Sequence, residues 1–350
     1  MPYARMTVLT AGLVGIAAYA FAGESPGGKP VAAKLIRVKR IWDKAPHNAF
    51  TDLIRYKDRF YCAFREGRSH ASTDGRIRVL ASDAGDTWES AALIKWPKQD
   101  TRGPHSAAAP DGPDLRDANL ATAPDGRLML VGGIADRKKD RQRTPTGSFA
   151  CFTTDGRSWT EPKMISKPGR WLWRVTAHGG KVWGVAYRAY DAEGSSLLVS
   201  DDGVAFRTVV ERLLAKGWPT EAVLRFDEDG TLYCLHRRDS KKPAERTAYL
   251  GVCKPDYAKG WTWHDLGRHL GGPALIHTPH GWIAGGRQGG RMALLALDVE
   301  KGAMTELLTL PSGGDCSYPG LAWHDGALWV SYYASHERKT SIYFAKVALE

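Results

Sequence analysis

The sequence predicts an all-β chain, a six-bladed β-propeller of four-stranded antiparallel blades closed by the N-terminal strand. Three observations lead there. Helical periodicity is hard to find beyond the first residues, and apolar runs of strand length broken by Gly, Asp and Pro dominate. One phrase recurs: an apolar strand, a turn rich in Asp, His and Gly, then a second apolar strand. It returns at roughly 45 to 65 residues, within the range expected of propeller blades. Finally, three short stretches look alike: ASDAGDTW (Ala81–Trp88), TTDGRSW (Thr153–Trp159) and SDDGVAF (Ser200–Phe206). In each, Gly permits a tight turn, the Asp carboxylate can bond the turn amides, and the aromatic pins the hairpin to its blade.

The elements follow in order. Residues 1–22 read as a secretory signal: Arg5 gives a positive start, Val8–Ala20 is apolar, and Ala20-Phe21-Ala22 is a small-x-small cleavage site. This run is short for a membrane span, and no second one follows. Residues 23–33 are a Gly/Pro linker. The six copies of the phrase are Asp52–Glu66, Asp117–Gly133, Arg174–Arg188, Glu221–Arg238, Pro273–Arg287 and Tyr318–Tyr333. After the first three copies come a third strand, the Asp-Gly-aromatic turn and a fourth strand. The sixth runs out of chain after TSIYFAKVAL (Thr340–Leu349), so its outer strand is expected from KLIRVKRIW (Lys34–Trp42), paired near Ser341–Val347. The propeller therefore spans residues 34–350.

The 350 residues are 43% hydrophobic with 13 Trp, ample for a sizeable core. The formal charge of +11 admits anionic partners, yet the Lys and Arg are scattered; the one dense run, Arg137-Lys138-Lys139-Asp140-Arg141, reads as a solvated loop. No nucleic-acid partner is expected. The five Cys (Cys62, Cys151, Cys234, Cys253, Cys316) mostly sit in strand-like runs and read as buried free thiols, with Cys234–Cys253 as the alternative pair. No Cys/His spacing suggests zinc, and no metal or cofactor is expected.

Propeller geometry assigns faces. The first strand of each copy lines the channel, and its start shares a face with the end of the second strand. Asp52, Asp117, Arg174, Glu221 and Tyr318 fall at strand starts, and Arg65, Arg188, Arg237 and Arg287 at strand ends. So many convergent charges point to a site, because unpaired charge is expensive to bury. The competing reading is a ring of salt bridges between blades.

At this point the chain resembles the sialidase superfamily, six-bladed propellers with Asp-box turns of the form Ser-x-Asp-x-Gly-x-Thr-Trp. The first box here has Ala81 where Ser is usual, and the other two are a residue shorter. The fourth copy carries a more specific likeness: Glu221, Gly230 and Arg237 fit a Glu opening a strand, a Gly turn and an Arg closing the paired strand. The resemblance implies that Glu221 polarises a nucleophilic tyrosine, Tyr318 in SYPGLAWHDG, and that Arg237 grips a substrate carboxylate. It implies Arg287 or Arg291 as a further carboxylate ligand, Asp74 as acid/base, and Arg68 as an auxiliary arginine. One departure stands out. The superfamily's first arginine comes from a Phe/Tyr-Arg-Ile-Pro motif, and here its place in HNAFTDLIRY falls near Phe50. Arg65 and Arg174 are the candidates to stand in.

The activity so implied is retaining hydrolysis of a terminal acidic sugar, sialic acid or a relative, with a Tyr nucleophile. A neutral Tyr avoids repulsion by the substrate's own carboxylate, and Asp74 would protonate the leaving oxygen and then activate water. The protein would be a secreted or periplasmic monomer with an acidic glycan as partner. Two other readings keep the fold: a lyase or hydrolase of uronic-acid polysaccharides, in which Asp52, Arg65, His70, Asp117 and Arg174 matter more, and a non-catalytic glycan-binding propeller.

Overall fold

The computed structural model describes residues 23–24, 30–97, 113–135, 147–188 and 194–350. The expected signal segment, with its cleavage site, and the basic run at 137–141 lie outside the described residues. Six four-stranded antiparallel sheets form the blades, with no α-helix among the described residues. Their channel-side strands are His47–Tyr56, Asp114–Thr122, Arg170–His178, Pro219–Phe226, Gly271–Thr278 and Ser317–His324, in blades 1 to 6. Each pairs with the strand that follows it through a short turn, and the order within blades 1 to 5 is sequential.

Blade 6 closes the ring as expected. Its strands Ser317–His324, Ala327–Ala334 and Ser341–Leu349 are completed by Ala33–Trp42 from the other end of the chain. The register runs from Leu349 opposite Ala33 to Ile342 opposite Trp42, one residue longer than the sequence suggests. Reciprocal bonds between Ala32 and Glu350 extend it, N to O at 2.9 and 3.0 Å. Closure leaves no inner sheet edge exposed.

The core is divided among the blade interfaces. Neighbouring blades share apolar clusters, as where Leu53, Phe60 and Phe64 of blade 1 meet Trp329, Ile342 and Phe344 of blade 6. Strands in the middle of a blade are buried on both faces and so read as continuous apolar runs, whereas an outer strand such as Phe206–Leu214 keeps an exposed face. All five cysteines are buried free thiols.

The turns between third and fourth strands refine the motif alignment. Thr153 Oγ1 and Ser200 Oγ accept the amides of Gly156 and Gly203, and Asp155 and Asp202 each accept two following amides at 2.8 Å. In the first turn Ser82 plays that hydroxyl role, accepting Gly85 N at 2.9 Å. Ala81 is a strand residue opposite Tyr61 and takes no part.

All six channel-side strands carry a β-bulge at the same height, where two residues oppose the ladder unpaired: Phe50-Thr51, Asp117-Ala118, Trp173-Arg174, Thr220-Glu221, Gly272-Pro273 and Tyr318-Pro319. Phe50, Asp117 and Tyr318 adopt positive φ (61°, 52° and 50°), a conformation that bulky residues keep only where surrounding structure enforces it. Bulges re-aim side chains, and this ring of them builds one mouth of the channel.

Candidate active site

Three blades supply the centre of that mouth. Tyr318 donates its phenolic proton to Glu221 Oε1. Glu221 Oε2 accepts Arg237 Nη1 at 2.7 Å and the Gly272 amide at 3.0 Å. The carboxylate is thus saturated on one oxygen and committed to the phenol on the other. Gly272 is required here, since a Cβ would sit 2.7 Å from the Tyr318 ring. Arg237 is braced from behind: its Nε meets Asp239 Oδ1 at 3.0 Å, and Asp239 also accepts Thr220 Oγ1 at 2.9 Å. Burial works to raise Asp239, but His269, Arg237 and Thr220 outweigh it and hold the carboxyl down at about 2.

Burial, then the charges of Glu221 and Asp117, push the Tyr318 phenol well above its ordinary value. The resting nucleophile candidate is therefore neutral, and Glu221 is placed to take its proton as charge develops. Aromatic walls surround it: the ring centroids of Phe50 and Trp173 lie 5.0 and 5.6 Å from that of Tyr318, and Trp171 and Tyr187 pack beside Trp173.

Asp117 shares the mouth. Its Oδ1 is buried without a hydrogen-bond partner. Burial raises its carboxyl to about 6; Arg116 opposes that shift, while Glu221 and Asp114 add to it.

The two expected stand-ins for the missing arginine have other work. Arg65 is fully buried, with Nε on Asp114 Oδ1 at 2.6 Å, Nη1 on Ser69 O and Nη2 on Ser72 Oγ. It organises the loop after the first hairpin, with its whole side chain buried there. Arg174 bonds Asp52 Oδ1 at 2.8 Å and Pro319 O at 2.9 Å, while Asp52 Oδ2 accepts Asn119 Nδ2 and Leu120 N. Asp52 and Arg174 are blade-to-blade ties, as the salt-bridge reading expected. The reason is distance: each finds an opposite charge on another blade, which no single strand reveals.

The cation that sequence reasoning missed is Arg116. Its guanidinium carbon lies 4.5 Å from the Phe50 ring centroid, over the place where the first arginine was sought. Nη1 bonds His70 O and Asp114 Oδ2 at 2.9 and 3.1 Å. Burial opposes its charge, but Asp117, Asp114 and Tyr318 together raise its pKa. The available signal was its position directly before Asp117 at the mouth of blade 2.

Of the fifth-blade pair, Arg287 is half-buried and bonds Cys316 O at 2.9 Å, two residues before Tyr318. Arg291 opens the next strand and is exposed. Asp74 lies in the loop between Gly67 and Arg76, where Oδ1 accepts Ser72 Oγ at 2.5 Å and Arg68 N at 3.1 Å. Burial raises its pKa, but Ser72 and Arg68 outweigh burial and hold it low. Arg68 is exposed and pairs with Asp74 at 3.4 Å. His70, exposed on the same loop, places Nδ1 2.7 Å from Asp315 Oδ2 and its ring edge-on to Phe50.

No family model matches the chain, and no curated protein matches it. Solved structures do. A protein of unknown function from Dyadobacter fermentans superposes with a TM-score of 0.72 at 18% identity, over 91% of this chain and 100% of that one. A Hadza microbial sialidase gives 0.63 at 17% identity, over 87% of this chain and 66% of that chain. An α-L-arabinanase from Penicillium chrysogenum, complexed with arabinobiose, gives 0.63 at 14% identity, over 90% and 98%. The chain thus has the six-bladed propeller fold that sialidases and arabinanases share.

Proposed function

We propose that this protein is an exported, retaining exo-glycoside hydrolase for a terminal acidic sugar, sialic acid or a related keto acid. The observation that carries the proposal is the Tyr318–Glu221–Arg237 chain, in which a neutral phenol, a carboxylate and a guanidinium are hydrogen-bonded in sequence across blades 4 and 6. As the phenolic oxygen bonds to the anomeric carbon, Glu221 takes the phenolic proton and the glycosidic bond breaks. Asp74 gives its proton to the leaving oxygen, then takes one from the water that displaces the tyrosine, whose oxygen recovers its proton from Glu221. For this Asp74 must leave Ser72 and Arg68, because the carboxyl those partners hold down is a poor acid. Arg237, Arg287 and Arg116 supply positive charge for the substrate carboxylate, with Arg116 over Phe50 in place of the absent first arginine.

The test is turnover of a fluorogenic sialoside, with unsaturated-product absorbance on uronic-acid oligosaccharides and release from arabino-oligosaccharides as parallel arms. Hydrolysis of the sialoside with retention, abolished in Tyr318→Phe, supports the proposal. Ultraviolet-absorbing product would establish the lyase reading instead, and hydrolysis confined to the neutral sugar would remove the acidic-substrate reading.

A further inference from the structure

Beside Phe50, three residues from distant parts of the chain meet at one oxygen atom. His47 opens the first strand of blade 1, His70 lies on the loop after its second strand, and Asp315 precedes the first strand of blade 6. His47 Nε2 is 3.0 Å and His70 Nδ1 is 2.7 Å from the same Asp315 Oδ2. All three donor atoms lie within 4.8 Å of one another, and no other trio of His, Cys, Asp or Glu among the described residues meets that criterion.

The surroundings hold this trio in place. Asp315 Oδ1 accepts Tyr333 OH at 3.1 Å, and its amide donates to Ser335 Oγ at 2.8 Å. The carbonyl of His70 is held by Arg116. His47 is buried at 7% exposure with its other ring nitrogen, Nδ1, lacking any hydrogen-bond partner. No protein group behind the ring holds a proton on Nδ1; Nε2 donates its proton to the carboxylate, and an ion binding there would displace that proton. His70 is exposed, so the cluster is closed on the protein side and open on the other.

We propose that His47, His70 and Asp315 form a binding site for one divalent transition-metal ion of the zinc class. Two imidazole nitrogens and one carboxylate oxygen suit that class, and three protein ligands with an open position are the arrangement of a site that also takes water or a ligand. Tetrahedral bonds of 2.0–2.1 Å put ligand atoms about 3.3 Å apart, so the two N–O separations need only widen by a few tenths of an ångström. Tyr333 and Arg116 act from the outer shell, holding the carboxylate and the loop. The ion would add positive charge beside Phe50 at the rim of the mouth. The sequence expectation of no metal arose because ligands separated by 23 and 245 positions form no spacing motif.

The experiment uses the full chain, untagged and treated with chelator, titrated with zinc chloride alone by calorimetry. Cobalt(II) replaces zinc for visible absorbance. One equivalent should bind, with a rise in Tm and a d–d band for cobalt. His70→Ala alters an exposed residue and should retain the fold while weakening zinc binding at least about 100-fold; Asp315→Asn should do the same. Tyr333→Phe should weaken it by about 10-fold, the scale of outer-shell losses. Absence of saturable binding overturns the proposal, as does binding left unchanged in both His70→Ala and Asp315→Asn. None of these readouts depends on glycoside turnover, so the hydrolase proposal can fail while this one stands.

Discussion

Asp117→Asn isolates what the mouth of the channel costs the fold. The substitution keeps shape, and Asn tolerates the positive φ of this position better than most residues. The Asp117 carboxyl sits at about 6 against an ordinary 3.8, chiefly through burial, so the folded state binds its proton more tightly than the unfolded one. Well below pH 3.8 both states are protonated and the penalty vanishes. From about pH 4 to 6 the unfolded chain ionises freely while the folded one resists, so stability is lost as pH rises. Above pH 6 the whole difference applies, on the order of 3 kcal/mol. Asn has no such titration. With an unfolding entropy near 0.6 kcal/mol/K for about 300 ordered residues, Asp117→Asn should raise Tm by about 5 °C at pH 8 and by little at pH 4. Calorimetric scans of both proteins across that range are the assay. An equal Tm offset at both pH values, or a less stable variant at pH 8, would refute the argument that burial of this carboxylate is the source of strain. Gain of stability with loss of turnover would mark Asp117 as a residue kept for function.

Tyr318→Phe should cut sialoside turnover by at least about 1000-fold with little change in affinity, and Glu221→Gln added to it should lower the rate scarcely further, as measured in a double-mutant cycle. Arg116→Gln should raise KM for the acidic substrate about 10-fold or more and flatten its salt dependence; unchanged KM would show that this cation does not meet the substrate. Gly320→Ala should unfold the blade 1–blade 6 junction, because its Cβ would lie 2.1 Å from the Leu53 backbone nitrogen, and soluble yield with protease resistance reads this out. Ala345→Pro removes ladder bonds from a strand paired on both sides, with Val330 and with Val38; loss of cooperative unfolding is expected, and a native-like melt would argue against ring closure by that strand.

Most of the architecture was written locally. Strand-length apolar runs and six copies of one hairpin phrase depend only on neighbours in sequence, so blade count and order could be read, and the missing sixth outer strand pointed to closure by Lys34–Trp42, observed as Ala33–Trp42. Tyr318, Glu221 and Arg237 were legible for a similar reason. Each occupies a fixed place in its copy, and repeat geometry turns such places into one face. What the sequence could not decide was which charge meets which. Arg65, Arg174 and Arg237 look alike in one dimension, yet the first two are consumed by Asp114 and Asp52 and the third faces Tyr318's partner. Those choices are made by blade-to-blade distances and by the bulges, which rotate Phe50, Asp117 and Tyr318 into the mouth. Arg116 over Phe50 and the meeting of His47, His70 and Asp315 belong to the same level, since electrostatic energy depends on separation in space and the chain brings these groups together only when the ring closes.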